Sequence, residues 1–120
     1  MTADVLARIE ALGTPLAGVC VELLTFFGST YHETWGFSAP PLHDPITVAY
    51  LIDPAVLTSE RVGLRIELDG RHTRGTTVAD LHRRMGWEPN ANVGIGLDRD
   101  RFWDLMIGAI KRSDRPPERS

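Results

Sequence analysis

At Glu60 the spacing of the apolar residues changes. Upstream, Val5, Leu6, Ile9 and Leu12, and then Leu16, Val19, Cys20, Leu23, Leu24, Phe27 and Tyr31, recur at the spacing that puts side chains on one face of a helix. From Glu60, Val62, Leu64, Ile66 and Leu68 alternate with Gly63, Arg65 and Glu67, the period of a half-buried strand. A chain that carries both periods in separate blocks is of mixed α/β class.

The helical block divides at its punctuation. Thr2 is placed to cap a first helix that Gly13 closes. Thr14 followed by Pro15 restarts the pattern, and the longest helix of the chain is predicted from there towards Trp35 and Gly36. Two prolines in Phe37 to Leu42 break it, because the residue before a proline is driven to extended backbone. Another helix is predicted from Asp44-Pro45 through Val48, Ala49, Leu51 and Ile52 to Asp53-Pro54. In the strand block, Asp69-Gly70 predicts a two-residue hairpin turn, with the return strand in His72 to Asp80. Ala91, Val93, Ile95 and Leu97 describe a further strand, its glycines Gly94 and Gly96 leaving room for another backbone. Asp98 then caps a last helix with Phe102, Leu105, Met106, Ala109 and Ile110 on one face and Lys111-Arg112 at its C-terminal end. Residues 1–112 are expected to form one domain or part of one, and residues 113–120 a disordered tail.

Composition removes several functions. A chain of 120 residues with 42% hydrophobic content supports one modest core, enough for a small enzyme. The net charge of -3 gives no reason to expect nucleic acid or an acidic membrane surface as a partner. Cys20 is the single cysteine, so an internal disulfide and a cysteine-based zinc site are excluded, and its apolar neighbours read it as a small buried side chain. No charged-then-apolar leader follows Met1, and Glu22 interrupts the longest apolar run, so a soluble, cytoplasmic protein is expected. His72 and His82 lie among Arg71, Arg74, Arg83 and Arg84, which reads as a solvated basic edge; the interleaved aromatics of a single-strand binder are missing. His32 stands near the end of a helix, and Trp35, Trp87 and Trp103 read as packing residues, with Trp87 nearest to solvent. No phosphate-binding glycine loop or nucleophilic serine elbow occurs.

One dipeptide carries chemistry. His43 and Asp44 stand together where the Asp44-Pro45 helix begins. In one reading Asp44 caps that helix and His43 is a surface imidazole. In the other, a carboxylate at a helix start ligates a hard cation while its neighbour moves a proton. Spacing fits both.

The stretches ALGTPLAGVCVELLTFFGSTYHETWG, PLHDPITVAYLIDP, ELDGRHTRGTTVAD and NANVGIGLDRDRFWDLM, in this linear order within residues 2–112, resemble the C-terminal part of the inosine-uridine preferring nucleoside hydrolase family. The resemblance implies the C-terminal portion of that family's fold: helices, an antiparallel hairpin and a further strand. It also implies cleavage of the bond between ribose and base in a ribonucleoside, with calcium as cofactor. On the family's motif His43 becomes the general acid and Asp44 a calcium ligand. Tyr31 and Phe27, twelve and sixteen positions before the histidine, become residues that face the base. Being four apart on a helix, they share a face, and core packing remains an equal reading for Phe27.

The family's DxDxxxDD cluster, which supplies most of the calcium shell, does not occur in this sequence. Calcium takes about 6–8 oxygens, and Asp44 supplies at most two. The chain is therefore expected to be a truncated or split member, inactive or weakly active alone, and completed by a missing N-terminal half or stabilised as a homo-oligomer. The alternative expectation is a non-catalytic interaction module derived from the family.

Overall fold

The computed structural model describes residues 2–114. The elements are α1 (Ala3–Glu10), α2 (Pro15–Trp35), α3 (Asp44–Ile52), a 3-10 turn (Pro54–Val56), β1 (Leu57–Val62), β2 (Leu64–Ile66), β3 (Thr77–Ala79), β4 (Ala91–Leu97) and α4 (Arg99–Ser113). The mixed α/β class expected from the two periodicities is the one found. The chain divides into a helical unit, made of the residues up to Val56 and from Arg99 onward, and a strand unit, Leu57–Asp98.

In the helical unit, α2 starts as its sequence dictates. Pro15 opens the helix and the Thr14 hydroxyl accepts a hydrogen bond from the Ala17 amide at 3.3 Å. The same hydroxyl donates to the Asp114 carboxylate. At the other end Gly36 takes a left-handed conformation, φ 71°, and its N–H donates to the His32 carbonyl at 2.9 Å. The core gathers Val5 and Ile9 of α1, Ala17, Ala49, Val56, and Phe102, Trp103 and Ile110 of α4. The Phe102 and Trp103 rings meet edge-on at 5.1 Å. Burying a side chain of Phe102's size contributes about 1.5–3 kcal/mol. An exposed Arg8–Asp104 ion pair at 2.5 Å joins α1 to α4.

Several expectations for this unit are corrected. The apolar face expected on α2 is only partly covered: Leu16, Leu24, Phe27 and Tyr31 are half-buried, Val19 and Leu23 are exposed, and Cys20 is half-buried instead of buried, while the buried residue of the helix is Ala17. In α3, Ala49 is buried and Val48, Leu51 and Ile52 are exposed, Leu51 at 82%. Asp44 is not the cap of α3. His43 holds that position with helical backbone, φ -85° and ψ -51°, and Asp44 and Pro45 are the first two helical residues. On α4, Trp103 joins the buried face and Ala109 is exposed. The helix reaches Ser113, and the Asp114 amide donates to the Ile110 carbonyl at 3.3 Å. Residues 115–120 of the expected tail lie outside the described residues.

The strand unit contains two antiparallel pairs. β1 pairs β4 from Leu57↔Leu97 to Val62↔Ala91, with an irregularity between Thr58 and Ser59. β2 pairs β3 from Leu64↔Ala79 to Ile66↔Thr77. The strand expected to run through Leu68 is thus broken at Gly63 into members of two different sheets. A Cβ at Gly63 would lie 2.5 Å from the Trp87 Cβ and 3.0 Å from the Trp87 carbonyl oxygen, so only glycine admits that neighbour. The close backbone approach expected at Gly94 and Gly96 occurs at Gly63 instead. Trp87 itself is half-buried, and the Arg65 guanidinium lies 4.5 Å over its ring.

The two-residue turn at Asp69-Gly70 is also corrected. The Glu67 carboxylate accepts hydrogen bonds from the Asp69 and Gly70 amides at 2.8 and 3.0 Å, which folds the chain locally. Closure comes later, where the Gly75 amide donates to the Glu67 carbonyl at 2.8 Å and the Glu67 amide to the Thr76 carbonyl at 3.0 Å. After β3, buried Asp80 accepts from the Arg84 and Met85 amides at 2.8 and 3.0 Å and organises the turn that follows. The Asn90 side chain reaches Leu64, accepting from its amide at 2.8 Å and donating to its carbonyl at 3.0 Å. Among the described residues no helix is long and apolar enough to cross a membrane.

Candidate functional site

His43 and Asp44 stand exposed at the first turn of α3. Pro45 lacks an amide proton and suits this first turn, which is why the chain turns helical here after the Pro40-Pro41 segment. The Asp44 carbonyl accepts from the Thr47 hydroxyl at 2.7 Å, and the His43 carbonyl from the Ile46 amide at 3.1 Å. These are backbone interactions. Among the described residues neither the His43 imidazole nor the Asp44 carboxylate engages in a hydrogen bond or ion pair, so both are available to a ligand.

Phe27 and Tyr31 do share a face of α2. Their ring centroids are 4.5 Å apart with the planes tilted by 43°, and both residues are half-buried. A third ring joins them, which the sequence reading did not single out. Phe37 lies 6.4 Å from Tyr31 with a 20° interplanar angle. The signal for it was present: an aromatic residue directly after a glycine that ends a helix is turned back towards the last helical turns.

The structure does not gather all four expected residues into one cavity. Asp44 and Pro45 border a groove of about 420 Å³ between α3 and α4, with Val48, Ala49, Ile52, Leu105, Met106 and Ala109 as its walls. Phe27, Tyr31 and His43 are not part of that lining. The groove is apolar, with Asp44 the charged residue of its lining. Elsewhere in the helical unit the Arg101 guanidinium lies 2.5 Å from the Asp53 carboxylate. That donor holds the Asp53 carboxyl below its ordinary range, helped by the Ala55 amide.

Calcium needs about 6–8 oxygens around it. Among the described residues no three His, Cys, Asp or Glu side chains are grouped as they would be around a metal ion. Asp53 is paired with Arg101, Asp80 is held by backbone amides in the strand unit, and Asp44 belongs to no group of three such side chains among the described residues. The residues described do not by themselves fit a calcium shell of about 6–8 oxygens.

Comparison with known proteins gives a consistent picture. A sequence model described as inosine-uridine preferring nucleoside hydrolase matches residues 1–104. The pyrimidine-specific ribonucleoside hydrolase RihA of Escherichia coli (strain K12) is 42% identical over 106 residues, covering 87% of this chain and 34% of the relative. The protein of the same description from Salmonella schwarzengrund (strain CVM19633) is 41% identical over the same shares. Among solved structures, the purine-preferring ribonucleoside hydrolase from Gardnerella vaginalis superposes with a TM-score of 0.74 at 25% identity, covering 93% of this chain and 35% of that one. A plant nucleoside hydrolase superposes with a TM-score of 0.72 at 20% identity, over 92% of this chain and 37% of that one, and its likeness is one of fold. The chain spans about a third of the length of the curated relatives it matches.

Proposed function

Since the chain belongs to the inosine-uridine preferring nucleoside hydrolase family, we propose that residues 1–112 form the leaving-base side of a nucleoside N-ribohydrolase site, completed by polypeptide outside this chain. The observation that carries the reading is the placement of His43 and Asp44: adjacent, exposed and free of side-chain hydrogen bonds at the open end of α3.

In this reading His43 is the general acid. As the bond between C1′ and the base nitrogen breaks, the imidazole delivers a proton to the departing base, which leaves neutral instead of anionic. Water supplies the new oxygen at C1′, and ribose and free base are the products. Tyr31 and Phe27 form an aromatic face for the heterocycle, since stacked rings at such separations attract beyond simple area burial. Pyrimidine ribonucleosides are the proposed substrates, because the relatives at 41–42% identity are described as pyrimidine-specific. Asp44 is proposed as one ligand of a calcium shell whose other oxygens come from outside the described residues.

The test is hydrolysis of uridine by this chain alone and after mixing with a separately produced polypeptide spanning the unmatched N-terminal two thirds of the Escherichia coli relative. Activity that appears on mixing and disappears with His43→Ala or Asp44→Ala is expected. Activity that ignores both substitutions overturns the assignment.

A second reading is favoured by the uncovered apolar residues of α2 and α3, Leu23, Phe26, Leu51 and Ile52. It makes the chain a non-catalytic module that self-associates through those faces. Sedimentation of the purified chain tests it: a stable oligomer that binds neither calcium nor ribose supports this reading against the first.

A further inference from the structure

Phe37 follows the left-handed glycine that ends α2 and stays partly open to solvent while its ring turns back on the helix. The residue is 49% exposed. Its ring nevertheless stacks at 20° on Tyr31, which in turn lies against Phe27. Tyr31 belongs to the last turns of α2, where helices fray most readily. It is held from before by Phe27, one helical turn upstream, and from beyond the helix end by Phe37.

Two backbone features direct the Phe37 ring to this place. Gly36 adopts φ 71°, a conformation that a side-chain-bearing residue adopts only under strain, and its amide closes the helix on the His32 carbonyl. Beyond Phe37, Pro40 is buried and Pro41 follows it, so the segment that leads on to His43 has little freedom. The turn at Gly36, the ring at Phe37 and the proline segment thus connect Tyr31 to His43 through a short and constrained path.

We infer that Phe37 is a positioning residue for base recognition: its stack on Tyr31 holds the Tyr31 ring in the orientation that receives a planar heterocycle. The inference rests on the reading of Tyr31 as a base-facing residue and adds the element that fixes it. Its ligand class is the free or ribosylated nucleobase.

The test uses the full 120-residue chain with isotope-labelled tyrosine and phenylalanine rings, titrated with uracil, hypoxanthine and uridine while the ring resonances are followed. In the unsubstituted chain, saturable shifts at Tyr31 are expected. Phe37→Leu keeps an apolar side chain and removes the ring; it should move the Tyr31 resonances before any ligand is added and weaken base binding by about tenfold. Phe37→Tyr restores the stack and should bind within about twofold of the original. Phe37→Leu binding as tightly as the original, with base binding itself intact, overturns the role of Phe37 and leaves the base-facing reading of Tyr31 standing. Absence of saturable base binding by the unsubstituted, folded chain overturns both.

Discussion

The Arg101 guanidinium lies 2.5 Å from the carboxylate of Asp53, joining the first turn of α4 to the residue that ends α3. The hydrogen bond from Arg101 lowers the Asp53 pKa below its ordinary 3.8, so the folded state binds this proton less readily than the unfolded state does. Stability from the pair is therefore present above that value and lost as pH falls through the lowered folded pKa. Asp53→Asn should lower the melting temperature at neutral pH, and the deficit should shrink in acid below pH 3.8. Thermal melts of both proteins over a pH series check this, and added salt should also narrow the gap because both partners are partly exposed.

His43→Ala and Asp44→Ala should leave the melting temperature nearly unchanged, because neither side chain holds anything in the folded chain. In any assembly that hydrolyses nucleosides, His43→Ala should lower kcat by about 10²–10⁴-fold, the usual contribution of a general acid. Melts paired with uridine hydrolysis separate the two effects. A large loss of stability without a loss of activity contradicts the assignment.

Gly63→Ala should destabilise the strand unit by about 1–3 kcal/mol, the usual cost of overpacking. The added methyl group meets the Trp87 Cβ and carbonyl. Denaturant unfolding followed by tryptophan emission reads both the loss and the displacement of Trp87.

Asp80→Ala removes the acceptor of two amides, those of Arg84 and Met85. Both bonds are only part-buried, so the cost should lie at the low end of the about 1–3 kcal/mol that an unpaired buried donor carries. Hydrogen exchange at residues 81–86 should accelerate in this variant, while exchange in α2 stays as it was.

Leu51→Gln and Leu23→Gln replace exposed apolar side chains on α3 and α2. If these faces join copies of the chain, the sedimentation coefficient should fall to that of a monomer and the melting temperature should become independent of protein concentration. By contrast Phe102→Ala, in the core, should cost about 3–5 kcal/mol whatever the oligomeric state.

The parts of the fold that were legible in the sequence depend on local chemistry. Thr14-Pro15 and Gly36 mark the ends of α2, and the alternation from Ala91 to Leu97 coincides with β4, because cap, proline and period act within a few residues. The misread features depend on distant partners. Nothing near Gly63 announces that Trp87 will pack on its backbone and split the strand. At Asp69-Gly70 the turn signal was real, but the Glu67 side chain captured those amides and moved closure on to Gly75. The helical period of α2 gave a face without showing whether anything covers it, and Val19 and Leu23 are exposed although their spacing suits a core. At the site, the Asp44-Pro45 signal placed His43 and Asp44 where a helix begins, and α3 starts there. The ring of Phe37 went unnoticed because its relation to Tyr31 is created by the left-handed turn between them.

Asn90 has a consequence for how the strand unit meets other chains. Its amide occupies both backbone groups of Leu64 on the edge of β2 that faces away from β3, mimicking the pairing that a neighbouring strand would make. An incoming β-strand finds that position already taken, so one side chain acts as a stopper against edge-to-edge joining in a chain whose helices leave so much apolar surface open.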